Sequence, residues 1–129
     1  MKVNEIIQDF AKLDPRVQSR IKIEVKVLKS VIERVLATGN WRLDSVDDGG
    51  DEVTKVTTVK EALEVVFGVD DARIWFQCTV APERPLAYVY AVLGNDGWDV
   101  VNDWSISPHG FDEAVEAATN VNDNGDEEV

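Results

Sequence analysis

The side chains whose types could do chemistry are concentrated in GNDGWDVVNDW, residues 94–104, and just beyond it. Asn95, Asp96, Asp99, Asn102 and Asp103 offer oxygen ligands suited to a hard cation, and Asp99 and Asp103 share one side if the segment is a strand. His109, the only histidine, follows in SPHGF. The Asp96–His109 region is therefore where a small metal-dependent enzyme or metal-binding protein would keep its site. The spacing matches no calcium loop, however. Asn-Asp-Gly with alternating aspartates equally describes a tight hairpin leading into an edge strand blunted by charge. A histidine acting as acid or base needs a nucleophile, a metal or a paired carboxylate in reach, and none is marked, so a solvent-facing turn residue is the simpler reading.

Other chemical signatures are weaker. Asn120, Asn122, Asn124 and Gly125 imitate positions 1, 3, 5 and 6 of an EF-hand loop, but the position-12 glutamate would fall beyond Val129. Cys78 is the single cysteine and has neither a disulfide partner nor a C-x-x-C neighbour, so nothing depends on an oxidising compartment. No phosphate-binding glycine loop, nucleophile elbow or H-E-x-x-H occurs. No catalytic residue, metal or cofactor is assigned on this basis, and a binding protein is expected rather than an enzyme.

Aromatic residues give a better lead. If residues 73–80 and 86–93 are strands, Ile74, Phe76, Cys78 and Val80 share one face and leave Trp75 opposite with Arg73, Gln77 and Thr79. Ala87, Val89, Ala91 and Leu93 likewise oppose Tyr88 and Tyr90. Trp75, Tyr88 and Tyr90 then share one sheet face, where exposed aromatics would anchor a protein partner. The competing expectation is that the N-terminal helices, which need a surface to pack on, cover it.

The elements that must position these residues read as follows. Val3, Ile6, Ile7, Phe10 and Leu13 have helical spacing, and Asp14-Pro15 starts a second helix running to Gly39 with the stripe Val17, Ile21, Val25, Leu28, Ile32 and Val35. Residues 20–27 also alternate as a strand would, yet the proline start and glycine stop favour a helix. Trp41–Val46 and Val53–Thr57 flank DDGGDE as a hairpin. Thr58 to Glu61 is a capping box opening a helix that Gly68 closes in the left-handed conformation. Strands over 73–80, 86–93 and 98–106 follow, joined by APERP and GNDG, loops short enough to make the strands antiparallel neighbours. A helix over 111–118 precedes a disordered acidic tail, 119–129. The expected class is α+β: one domain over 1–118, a helical arm at 1–38 and a sheet body at 39–118, in the order α-α-β-β-α-β-β-β-α with four or five antiparallel strands.

Charge narrows the partners. Residues 1–38 carry eight Lys/Arg against five Asp/Glu, and residues 39–129 carry five against twenty, the two parts making the net −12. An anionic body repels nucleic acid and anionic membranes, so neither is an expected direct partner. With no signal peptide or membrane-length apolar run, the cytoplasm is the expected location.

VKEALEVVFGVDDARIWF and, after a hairpin, YVYAVLGNDGWDVVNDWS resemble a pattern in small uncharacterised proteins of bacteriophages and other mobile elements. The resemblance spans roughly residues 59–105 and implies interference with host proteins, with no residue-specific role. The expected function is that of an acidic protein-binding or inhibitory protein, set against a basic surface on a host nucleic-acid-handling or defence protein. Candidate contacts are Asp44, Asp47, Asp48, Asp51 and Glu52 around one turn, Asp96, Asp99 and Asp103 around another, and Trp75, Tyr88, Tyr90 and Trp104 as apolar anchors. A homodimer through the 15–38 helix is the remaining alternative.

Overall fold

The computed structural model describes residues 2–123. Its longest helix, α1 (Pro15–Ala37), begins where Asp14 accepts a hydrogen bond from the Arg16 N–H at 2.8 Å and Pro15 takes the first turn. Gly39, at φ 77°, ends it. The alternation of residues 20–27 is thus read in helical period: Ile21, Val25, Leu28, Ile32 and Val35 are buried together with Val27 and Val31. The expected first helix does not form. Only two 3-10 turns, Val3–Glu5 and Phe10–Lys12, occur, with Asp9 between them at φ 60°. So short a segment has little helical stability of its own, and the residue before Pro15 is held extended, which separates it from α1.

The sheet contains β1 (Trp41–Asp47), β2 (Thr54–Lys55), β3 (Asp71–Cys78), β4 (Leu86–Val92) and β5 (Val101–Trp104) in the spatial order β2-β1-β3-β4-β5. Every neighbouring pair is antiparallel. Between β1 and β2 the expected hairpin forms, with Ser45 opposite Lys55 and Val46 opposite Thr54. α2 (Val59–Val66) carries the expected capping box, Thr58 accepting from the Glu61 N–H at 3.1 Å while the Glu61 carboxylate takes the N–H groups of Thr57 and Thr58. Gly68 does not act as the left-handed cap; the helix closes at Phe67 with ordinary negative φ. The class is α+β, and the five-stranded antiparallel sheet matches the expected order apart from the missing first helix.

One face of the sheet holds the core. Trp41, Leu43 and Val46 of β1 join Ala72, Ile74, Phe76 and Cys78 of β3 and Ala87, Val89 and Ala91 of β4, all buried. Onto them pack the apolar sides of α1 and α2 and of α3 (Phe111–Asp123), with the Phe111 ring 5.5 Å from Phe76 and 5.0 Å from Trp41. Val80 does not belong to this face: β3 ends at Cys78 and Val80 is 52% exposed. Because its apolar stripe is spent inside the chain's own core, α1 presents mostly charged and polar residues outward.

Two boundaries differ from the sequence reading. β5 starts at Val101 rather than Trp98, and the connection over 93–100 is a long loop in which Gly94 and Gly97, not Asn95 and Asp96, take positive φ. That loop is drawn onto α1. Buried Glu24 accepts the Gly94 N–H at 2.9 Å, Lys26 lies 5.8 Å from the Trp98 ring centre, and a side chain at Gly97 would meet Ile23 at 3.1 Å. α3 continues five residues past Ala118, so the tail expected from 119 is helical as far as Asp123. The rest of that segment, 124–129, including the Asn124 and Gly125 positions of the EF-hand resemblance, lies outside the described residues. Among the described residues no helix is long and apolar enough to cross a membrane.

Candidate functional site

All three helices sit on the Ile74/Phe76 side, so the opposite sheet face is open. The expectation that N-terminal helices cover Trp75, Tyr88 and Tyr90 is therefore overturned. The physical reason lies in the neighbours: covering that face would also bury Arg42, Arg73 and Gln77, whereas the other face offers only apolar side chains. Cross-strand register puts Ser45, Trp75 and Tyr88 in one row and Asp47, Arg73, Tyr90 and Asp103 in the next. Arg42, Gln77 and Leu86 form a third, and Leu86 is 50% exposed.

The open face is ordered by its own contacts. The Trp75 and Tyr88 rings meet edge-on at 5.2 Å. The Arg73 guanidinium lies 4.6 Å from the Tyr90 ring centre and 5.5 Å from that of Tyr88. Each phenol is tethered to a carboxylate, Tyr90 donating to Asp71 at 2.7 Å and Tyr88 to Asp103 at 3.2 Å. The hydrogen bond to Asp71 holds the Tyr90 phenol above its ordinary ionisation range, because only the protonated phenol can donate it; desolvation and the carboxylate's charge push the same way. Arg42 donates to the Gln77 side-chain oxygen through Nε and Nη2.

Topology then gathers acidic residues distant in sequence. β1 ends, β3 begins and β4 ends at one edge of the sheet, which brings Asp47, Asp48, Asp51 and Glu52 to the same end as Asp70, Asp71, Asp96 and Asp99. A cleft of about 120 Å3 there is lined by Asp47, Asp48, Asp71, Arg73 and Tyr90. Asp47 and Asp48 also fold their turn, accepting the Gly49 and Gly50 N–H groups at 3.0 Å. Asp44 stands apart as the extra residue of a β-bulge, paired with Lys55 at 3.4 Å. At the other end of the sheet Leu86 and Ile106 are exposed, the latter 79%.

Several predicted residues are not assembled as the chemistry of the 94–109 region would require. Asp96 accepts the Asp99 N–H within the loop, Asp103 faces Tyr88 on the open face, and His109 is exposed beyond β5. His109 contributes through its backbone: at φ 61° its carbonyl accepts from Asn40 Nδ2 at 3.0 Å and Trp41 Nε1 at 3.2 Å. Asp99 and Asp103 are not on one strand side, since Asp99 precedes β5. Among the described residues no three His, Cys, Asp or Glu side chains converge as a metal site. Trp104 pairs with Val89 on the helix side and donates to Asp112 at 2.6 Å, so it cannot anchor a ligand on the open face.

The sequence reading missed Arg73 and Asp71 as site residues, and Glu24 as a buried group. Alternation already placed Arg73 beside Trp75; its position between two tyrosines needed the strand register. Glu24 had a signal, since it falls within the helical stripe between Val17, Ile21, Leu28 and Val31. Comparison with protein-family models, with curated proteins and with solved structures gives no match for this chain.

Proposed function

We propose that this chain works by binding rather than catalysis, docking the open sheet face and its acidic end against a basic protein surface. The observation that carries the proposal is the uncovered, internally ordered Trp75–Tyr88–Tyr90 face bordered by Asp47, Asp71 and Asp103. Pre-ordered aromatics supply contact area at low entropic cost, and rim carboxylates steer a cationic partner. The basic surfaces of nucleic-acid-handling or defence proteins have the matching charge, and the resemblance to proteins of mobile elements is consistent with interference at such a surface. The protein itself has no direct nucleic-acid role in this reading, because its net −12 opposes a polyphosphate.

Immobilised protein presented to a bacterial lysate at low and high salt should retain a basic protein in the first case more than in the second. With that protein purified, neutralising Asp47, Asp48, Asp51 and Glu52 together should slow association and flatten its salt dependence. Trp75→Ala should chiefly speed dissociation. An acidic partner, or association indifferent to salt, defeats the proposal.

A further inference from the structure

We infer that Arg73 makes the open face selective, admitting a basic partner only if that partner sets a carboxylate at the centre of its own basic patch. This inference rests on the binding role proposed above and specifies the partner's chemistry at one point. Arg73 is exposed, yet its side chain makes no hydrogen bond or ion pair with the described residues. Cation–π contacts with the Tyr88 and Tyr90 rings hold it instead, and both phenols are fixed in turn by Asp103 and Asp71. Asp47 lies directly across from it on β1 without closing an ion pair. The guanidinium is thus oriented with its donors still to be used.

Bringing a uniformly cationic surface onto this face would satisfy the acidic rim but press a lysine or arginine against a guanidinium that docking strips of water. Like charges brought together at an interface centre are a strong repulsive element and a source of specificity. A carboxylate there reverses the sign. Its two oxygens match the planar guanidinium fork, a charge-assisted and geometrically exacting pairing that a neutral amide or backbone carbonyl reproduces only in part. The expected pattern on the partner is cations at the perimeter and one Asp or Glu at the middle.

The test uses two acetylated, amidated, fluorophore-labelled peptides with lysines on both sides of a central residue, glutamate in one and glutamine in the other. Each is titrated into the full chain at low ionic strength and followed by anisotropy. Charge alone predicts that the glutamate peptide, being less cationic, binds an acidic protein more weakly. If Arg73 takes the carboxylate, the glutamate peptide should instead bind about tenfold more tightly, the scale of a well-formed charge-assisted pair. Arg73→Gln should remove the preference and Arg73→Lys should keep part of it, with unchanged thermal unfolding showing that neither variant disturbs the fold. Binding of both peptides with no preference for glutamate, weakened by neutralising Asp47 and Asp71, would overturn the role of Arg73 and leave the acidic docking face standing. A glutamate preference that survives in Arg73→Gln would overturn it equally. Failure of both peptides to bind would count against the docking face and the selectivity together.

Discussion

Phe76 and Trp75 are adjacent in sequence and point to opposite faces of the central strand, so substituting each with alanine separates stability from binding. Phe76 is fully buried, its ring against Phe111 and its backbone paired between Leu43 and Ala87. Removing that side chain leaves a cavity bounded by strands on both sides and α3 above, where collapse is restricted, and the expected cost is about 3 to 5 kcal/mol. With a urea dependence of about 1 to 3 kcal/mol per molar for a small protein, the unfolding midpoint should fall by roughly 2 M. Trp75 is half-buried and loses mainly its edge contact with Tyr88, worth about 1 kcal/mol. Urea titrations followed by circular dichroism, which do not rely on Trp75 emission, measure both. A loss below about 1 kcal/mol for Phe76→Ala, or equal losses for the two variants, would refute the assignment of faces on which the docking surface depends.

Other outcomes follow from contacts at defined atoms. Glu61 is held below its ordinary carboxylate range by Thr57 and Thr58. Its contribution should be complete above that ordinary range and disappear as pH falls through the lowered value, and an acid titration of stability should be shallower in Glu61→Gln. Tyr90 is shifted the other way, chiefly by Asp71, so its contribution is complete below about pH 10 and lost as pH rises through the raised value. Asp71→Asn should move one phenol to lower pH in an ultraviolet absorbance titration; an unchanged curve contradicts the pairing. Glu24→Ala removes a buried carboxylate together with its hydrogen bond from the Gly94 N–H and its 3.4 Å ion pair with Arg20, and should cost about 2 to 4 kcal/mol, with Glu24→Gln milder, as read by chemical denaturation. Submicromolar DNA or RNA binding at physiological salt, lost when Arg16, Arg20, Lys22, Lys26, Lys29 and Arg34 are neutralised, would show that α1 overcomes the anionic body; no such binding is expected.

Periodicity and caps were legible where local chemistry settles them. Asp14-Pro15, Gly39 and the Thr58/Glu61 box state their elements outright, and alternation in 73–80 and 86–93 placed Trp75, Tyr88 and Tyr90 on one face. What local signals could not say is which face the helices would choose. That depends on setting the apolar stripes of α1, α2 and α3 against both faces of the sheet at once. The segment over 93–100 failed for a related reason: Asn-Asp-Gly is a sound hairpin signal, but Glu24 and the Ile23–Gly97 contact, more than seventy positions from their partners in the case of Gly97, hold a longer loop. Residues 3–13 had helical spacing without the length to act on it. The acidic end of the sheet was visible as two separate turns; only the strand order joined them to Asp70 and Asp71.

The bulge at Asp44 has a consequence for how the chain can change length. Removing one residue from a strand ordinarily turns every later side chain onto the wrong face. In β1 the residues Asp44 and Ser45 together oppose a single position of β3, with Leu43 across from Phe76 and Ser45 across from Trp75. Excising Asp44 would therefore leave Trp41, Leu43 and Val46 facing the core and Ser45 and Asp47 facing outward in strict alternation. The losses would be the Lys55 pairing, the carboxylate that accepts from the Ser45 hydroxyl and the carbonyl that accepts the Val56 N–H. Position 44 is the point in this strand at which a deletion restores regular pairing instead of destroying it.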